Sequence, residues 1–243
     1  ILAMANFCKI RYCPVCMANK TSKTAMEIYS TLEQIQNDQA VDFVFLTLTI
    51  KNAPLEQTRD KAKLMSKAWD RLVKTKQWQN SVLGFIRGIE FKGDKTPKSQ
   101  CHVHFHCTLI VKAGYYQSNS PYYITHAQWV AMWQKALRVD YRPSVRVNAP
   151  KAKDKGGNPL ISAVVECVKY SIKPTQVIEL SQAQFRVLDQ QTKGIRQYNK
   201  GGIVKDKRYK PKDTKELDTE LWEMVGREIY KWYGIAEGYK LAL

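Results

Sequence analysis

The chain has 243 residues, 44% of them hydrophobic, which is enough for a sizeable core and argues for one or two folded domains rather than a disordered chain. Lys and Arg number 39 against 22 Asp and Glu, a formal charge of +17 that predicts a polyanionic partner, either nucleic acid or an acidic membrane surface. No apolar stretch reaches the length of a transmembrane helix or a signal-peptide core, so a soluble, cytoplasmic protein with no membrane partner is expected.

The first feature in chain order is CKIRYCPVC, where Cys8, Cys13 and Cys16 have C-x4-C-x2-C spacing. In a reducing compartment this reads as a zinc knuckle, with a reduced, partly buried cysteine cluster as the plain alternative. Tetrahedral zinc needs a fourth ligand. It lies ahead of Ile1, comes from elsewhere in the chain, or does not exist. Ala25, Ile28, Tyr29, Leu32 and Ile35 then recur at helical spacing and predict an amphipathic helix ending near Asn37.

FVFLTLTI, at 43–50, reads as a central strand, with Leu46, Leu48 and Ile50 alternating against Thr47 and Thr49. Pro54 is expected to open a long helix with Thr58, Ala62, Met65, Trp69, Leu72 and Val73 as its inner stripe and many basic residues around it. GFIRGIEF, at 84–91, is a second strand. After a polar loop comes CHVHFHCTLIV, at 101–111, which holds three of the four histidines. On a strand His102, His104 and His106 share one face, while Val103, Phe105, Cys107 and Leu109 share the other. Imidazoles one pleat repeat apart can reach a single metal ion, although a half-exposed strand with a polar histidine face would look the same. A hairpin between these two strands brings Glu90 near the histidines.

Thr125 is expected to cap a helix carrying Trp129, Val130, Trp133 and Leu137, and SVRVNAP at 144–150 gives a fourth strand. Residues 43–150 therefore run β-α-β-β-α-β. The predicted class is α+β, a four-stranded antiparallel sheet with helices on one face and the other face open. Strands one and three lie side by side in this topology, so the Thr47/Thr49 and His104/His106 faces are shared. The next helix, ISAVVECVKYSIKP, sets Ile161, Val164, Val165, Val168 and Ile172 on one stripe and Glu166, Lys169, Tyr170 and Lys173 on the other. A tyrosine flanked by lysines is a nucleophile candidate if it packs beside a metal-bound phosphate, whereas a charged surface helix is the plain alternative. Beyond 175 the pattern gives a weak helix (SQAQFRVLDQQ), a glycine-bearing basic stretch (IRQYNKGGIVKDKRYKPK), and a final helix with Leu217, Leu221, Met224, Val225 and Trp232.

FLTLTIKN, the HVHFH tract and VVECVKYSIKP resemble, in order and spacing, the three motifs of rolling-circle plasmid replication initiators, in the single-tyrosine branch of the HUH endonuclease superfamily. CKIRYCPVC resembles the cysteine-rich N-terminal motif of that branch, and IRQYNKGGIVK a downstream stretch, so the resemblance covers roughly residues 7–205. It implies that His104 and His106 bind a divalent cation, Mg²⁺ or Mn²⁺, with Glu90 the third ligand and His102 a ligand, phosphate donor or structural histidine. Tyr170 would attack a DNA phosphodiester, with Lys173 in the same catalytic group, to leave a 5′-phosphotyrosyl link and a free 3′-OH. Glu166 would activate water or a hydroxyl for the closing cleavage. Lys169, Thr47, Thr49 and Lys51 are the expected DNA contacts. The implied division is a cysteine-rich segment and helix at 1–40, an endonuclease core at 41–175, and a basic, helical extension at 176–243.

The implied partners are single-stranded or hairpin origin DNA, host replication proteins and a separate helicase, because the sequence contains no G-x-x-x-x-G-K-[ST] loop. A non-catalytic RRM-like nucleic-acid-binding module would share the topology and the charge. It would, however, present aromatics where this sheet presents threonine, glutamate and histidine. A single-strand transposase or conjugative relaxase would share the core and the tyrosine, but the glutamate one turn before Tyr170 favours the plasmid initiator.

Overall fold

A computed structural model describes residues 10–149, 160, 164, 167–168, 174–209, 229–232 and 239–242. Helix α1 spans Pro14–Asp38. Proline suits its first turn because its missing N–H would have no helical partner there. Cys13 is the extended residue before the helix and Cys16 lies in its first turn. Cys8 lies outside the described residues.

Strand β1 is Val41–Thr49. The chain then forms a two-residue strand, β2 (Ala53–Pro54), and a 3-10 turn, and helix α2 follows at Thr58–Leu72. Pro54 therefore does not open the helix as predicted. Ala53 pairs with Cys101, and the Leu55 N–H is taken by the Ser99 carbonyl at 3.1 Å, so helical bonding begins only past this tie. The buried stripe of α2 holds the predicted Thr58, Ala62, Met65, Trp69 and Leu72 and adds Ala68, whereas the predicted Val73 is half-buried. Two of its basic residues are not simply solvated. Arg59 donates to the Gln190 and Lys193 carbonyls, and Arg71 to that of Ala136.

The remaining elements are α3 (Lys76–Ser81), β3 (Val82–Glu90), β4 (Gln100–Cys101), β5 (His104–Lys112), α4 (His126–Leu137), β6 (Val145–Asn148), α5 (Pro174–Ile178), α6 (Gln182–Thr192), β7 (Tyr198–Gly202), β8 (Ile229–Trp232) and β9 (Tyr239–Ala242). Thr125 and Gln128 close a reciprocal capping box at the start of α4, and Ser181 and Gln184 do the same for α6. The main sheet runs β6-β1-β5-β3-β7 with antiparallel neighbours. Its first four strands have the predicted order, with strands one and three adjacent.

Strand β7 was not anticipated. Its sequence, YNKGG, has no alternation and two glycines, and Gly202 is required by a φ of +61° that side chains rarely adopt. Of the expected final helix, Leu217, Leu221, Met224 and Val225 lie outside the described residues. Trp232 lies on β8, which pairs with β9 as an antiparallel hairpin, and no discrete C-terminal helical domain is seen among the described residues. The aliphatic and aromatic residues of IYKW and YKLA suit strands.

The core follows from strand alternation. Val44, Leu46, Leu48, Phe105, Cys107 and Leu109 point to one face and pack on α2, α4 and α6 with Trp69, Trp129, Trp133 and Leu188. Each such fully buried aliphatic or aromatic side chain contributes about 1.5–3 kcal/mol relative to exposure. The second face is not open as expected. Phe43, Ile86 and Ile110 make one half of it apolar, and Ala25, Ile28, Leu32 and Ile35 of α1 cover that half together with Leu160, Val164, Cys167 and Val168. The other half carries the polar residues.

Candidate metal centre

On this polar half the register sets His104 beside both Thr49 and Glu90, and His106 beside Thr47 and Gly88. Glu90, His104 and His106 offer donor atoms that all lie within 4.8 Å of one another. The site thus arises from three strands whose alternation turns apolar residues to the helices and these side chains to the opposite face.

The hydrogen bonds define how the rings are presented. His104 Nδ1 lies 2.8 Å from the His102 carbonyl, which can only accept, so Nδ1 carries the proton and Nε2 is the lone-pair nitrogen of the neutral ring. That Nε2 is 3.0 Å from Glu90 Oε2. His106 is held similarly, with Nδ1 3.3 Å from the Thr47 hydroxyl, which can donate or accept, and Nε2 3.3 Å from Glu90 Oε1. Glu90 Oε1 is buried and makes no hydrogen bond. A nitrogen lone pair and a carboxylate oxygen meet face to face only where something positive lies between them, a second proton on the ring or a shared cation.

The donor set fits the cation. Two ligands at a right angle around an octahedral ion with bonds of about 2.1 Å lie about 3.0 Å apart. Ligating imidazoles also commonly hold their second nitrogen on a carbonyl or other polar group, as both rings do here. Two imidazoles and one carboxylate suit a divalent ion and leave coordination positions for a phosphate or water. Burial pushes the Glu90 carboxyl up, but hydrogen bonds from the facing rings of His104 and His106, carrying the second protons that a shared cation would replace, outweigh it and lower it to about 2, so the group is a carboxylate at neutral pH.

His102 precedes β5 rather than lying on it, and its ring packs beside that of His104, with 5.0 Å between the ring centroids, without joining the three-donor group. Its Nδ1 lies 2.7 Å from the Asn52 side-chain oxygen, and the Asn52 amide donates to Gln100 at 3.3 Å. Burial, with a further push from His104, lowers its pKa and keeps the ring neutral. Thr49 turns to the neighbouring connection, donating to the Ser144 carbonyl at 2.9 Å. Lys51 is exposed, with its Nζ 4.1 Å from the centre of the Tyr141 ring. Arg146 on β6, opposite Thr47, is exposed at the edge of the same face.

Glu166, Lys169, Tyr170 and Lys173 lie outside the described residues. Cys167 and Val168 are described, and they sit against the sheet beside the donor cluster. The Cys167 thiol donates to the His106 carbonyl at 3.6 Å, and the Val168 carbonyl accepts from the Tyr198 hydroxyl at 2.8 Å. Gly88 makes this approach possible, since a Cβ there would lie 2.4 Å from the Cys167 carbonyl oxygen. Gly88 and Asn52 went unnoticed in the sequence. The pairing of GIE with HFH, which sets Gly88 across from His106, was the available signal for the first.

A family described as replication protein has a model that matches residues 1–239. A protein from Lentilactobacillus hilgardii named Protein rep is 32% identical over 242 residues, covering 93% of this chain and 76% of that one. A Protein rep from Lactiplantibacillus plantarum is 33% identical over 233 residues, covering 92% and 72%. A Replication protein from Staphylococcus aureus is 28% identical over 193 residues, covering 76% and 81%. No solved structure matches. No described helix is long and apolar enough to cross a membrane.

Proposed function

The chain belongs to the replication-protein family of rolling-circle plasmid initiators, and on that footing we propose that it nicks and rejoins single-stranded DNA at a plasmid origin through a tyrosine. It is a metal-dependent nuclease by family and by its donor cluster. The observation that carries the reading is that cluster, Glu90 with the Nε2 atoms of His104 and His106, both rings held through Nδ1. When bound there, Mg²⁺ or Mn²⁺ supplies Lewis-acid polarisation of the scissile phosphodiester.

The nucleophile is the Tyr170 phenolic oxygen. It bonds to phosphorus as the bond to the 3′ oxygen breaks, the phenol proton passes to solvent or to Glu166, and the leaving 3′ oxygen takes up a proton. The products are a 5′-phosphotyrosyl link and a 3′-OH that serves as primer. Lys169 and Lys173 flank the tyrosine and favour both phenolate and phosphate. For closure, Glu166 removes the proton of a water or 3′-OH that attacks the same phosphorus, and the tyrosyl oxygen leaves and is reprotonated. Chain connectivity supports the assignment, because Tyr170 follows Val168 by two residues and Val168 lies against β7 beside the cluster.

In this scheme His102 orients His104 rather than ligating. Thr49, Lys51 and Thr47 line the approach of the DNA strand, with Thr47 also holding His106. Hairpin origin DNA is the substrate, and a separate helicase and host replication proteins complete synthesis. Cys8, Cys13 and Cys16 form a structural Zn²⁺ site. The test is incubation with origin-containing single-stranded DNA and Mn²⁺, scored for a covalent protein–DNA band. Tyr170→Phe abolishes the band while DNA binding persists. An undiminished band moves the nucleophile elsewhere.

A further inference from the structure

The stretch IRQYNKGGIVK has so far been only an edge strand, yet its Tyr198 meets the chain just ahead of Tyr170. Tyr198 pairs with Gly88 across β3 and β7, and its ring packs beside that glycine, 3.6 Å from where a Cβ would sit. Its hydroxyl donates to the Val168 carbonyl at 2.8 Å and accepts from the Gln197 side-chain amide, also at 2.8 Å. Gln197 is buried, and its backbone carbonyl accepts from Ile89 N–H at 3.0 Å, which anchors it to the strand that carries Glu90.

The Cys167–Val168 peptide is therefore gripped from three sides. The space over Gly88 receives the Cys167 carbonyl, the Cys167 thiol reaches the His106 carbonyl, and Tyr198 takes the Val168 carbonyl. Two of these grips attach to strand residues that belong to the donor cluster or lie next to it. The geometry points to Tyr198 as a positioning residue, whose hydroxyl, set by Gln197, fixes the peptide two residues before Tyr170 relative to His106 and Glu90. This rests on the assignment of Tyr170 as nucleophile. A hydrogen bond to a main-chain carbonyl suits such a task, because it holds the backbone whatever the side chains beyond it do. Attack on phosphorus is steeply sensitive to placement, and a shift of about 1 Å can cost about a hundredfold in rate.

The experiment measures single-turnover adduct formation on a labelled single-stranded oligonucleotide spanning the nick site, titrating oligonucleotide and Mn²⁺ separately. Tyr198→Phe, which keeps the ring and deletes the hydroxyl, is expected to slow adduct formation at saturation by roughly tenfold to a hundredfold. The half-saturating concentrations of DNA and Mn²⁺ stay at the wild-type values. Gln197→Leu, which leaves the hydroxyl but frees it to rotate, is expected to give a smaller loss of the same kind, and it decides the matter by the same criteria if Tyr198→Phe fails to fold. An unchanged saturating rate overturns the proposal. So does a loss matched by weaker Mn²⁺ or DNA binding, since that is general disruption rather than positioning. Tyr170→Phe, run alongside, tests the nucleophile itself. An adduct that persists there and maps to Tyr198 overturns both readings, whereas a wild-type rate in Tyr198→Phe with no adduct in Tyr170→Phe overturns this one alone.

Discussion

His104 meets Glu90 with its lone pair, Nε2 standing 3.0 Å from Oε2, because its other nitrogen donates to the His102 carbonyl. Metal-free protein must therefore place a proton where the cation would sit. Divalent cation should stabilise the fold, by about 2.7 kcal/mol at a hundred times its Kd, read as a higher Tm for Mn²⁺-loaded protein than for chelator-treated protein. A Tm indifferent to Mn²⁺ would remove the metal centre.

Thr47 is the partner of His106 Nδ1, at 3.3 Å. Thr47→Val keeps the shape and removes the hydroxyl, so calorimetry should show Mn²⁺ bound roughly tenfold more weakly, the lower end of what such supporting contacts contribute. Unchanged Mn²⁺ affinity would show that the ring is held by packing alone.

The two carboxylates are expected to fail differently. Glu90→Ala should depress the first cleavage and recover in part at high Mn²⁺, since two imidazoles remain. Glu166→Ala should still form the tyrosyl–DNA adduct but release it slowly, so that adduct accumulates. Following adduct growth and decay in both variants checks this, and equal loss of the first cleavage would refute separate roles.

Gly88→Ala would put a methyl 2.4 Å from the Cys167 carbonyl oxygen, a main-chain atom that cannot swing aside. A destabilisation of about 1–3 kcal/mol is expected from denaturant titration, together with loss of adduct beyond what the unfolded fraction explains. Wild-type stability and rate would mean that this segment shifts at no cost.

For the cysteines, metal analysis of protein purified without chelator should find about one equivalent of zinc, lost in the Cys13→Ser/Cys16→Ser double variant. Zinc-free protein of unchanged Tm would leave the pair as ordinary residues of the α1 start.

The parts legible in the sequence were those where one short-range pattern governs. LTLT and HFHCTL alternate, and α2 has a clear apolar stripe, so the first four strands, their order and the Glu90–His104–His106 grouping followed from period and topology. What escaped depends on contacts distant in sequence. YNKGG carries no strand signal of its own, because its edge pairing to β3 needs no apolar face. The covering of the second face was hidden for the same reason. The stripe of α1 was visible, but which sheet surface it would meet was set by Phe43, Ile86 and Ile110, three residues on three different strands. Pro54 misled because its role depends on Ser99, 45 positions away.

Helix α1 and strand β7 have a practical consequence for dissecting the molecule. A fragment cut to residues 41–175 would strip the α1 part of the cover from Phe43, Ile86 and Ile110 and leave the outer edge of β3 with unmet backbone donors and acceptors. Such a bare apolar surface beside an open strand edge invites self-association. The shortest piece that behaves as a monodisperse particle should therefore begin before Pro14 and run past Lys205, and size-exclusion profiles of nested truncations would reveal that border as the point where aggregates give way to a single peak.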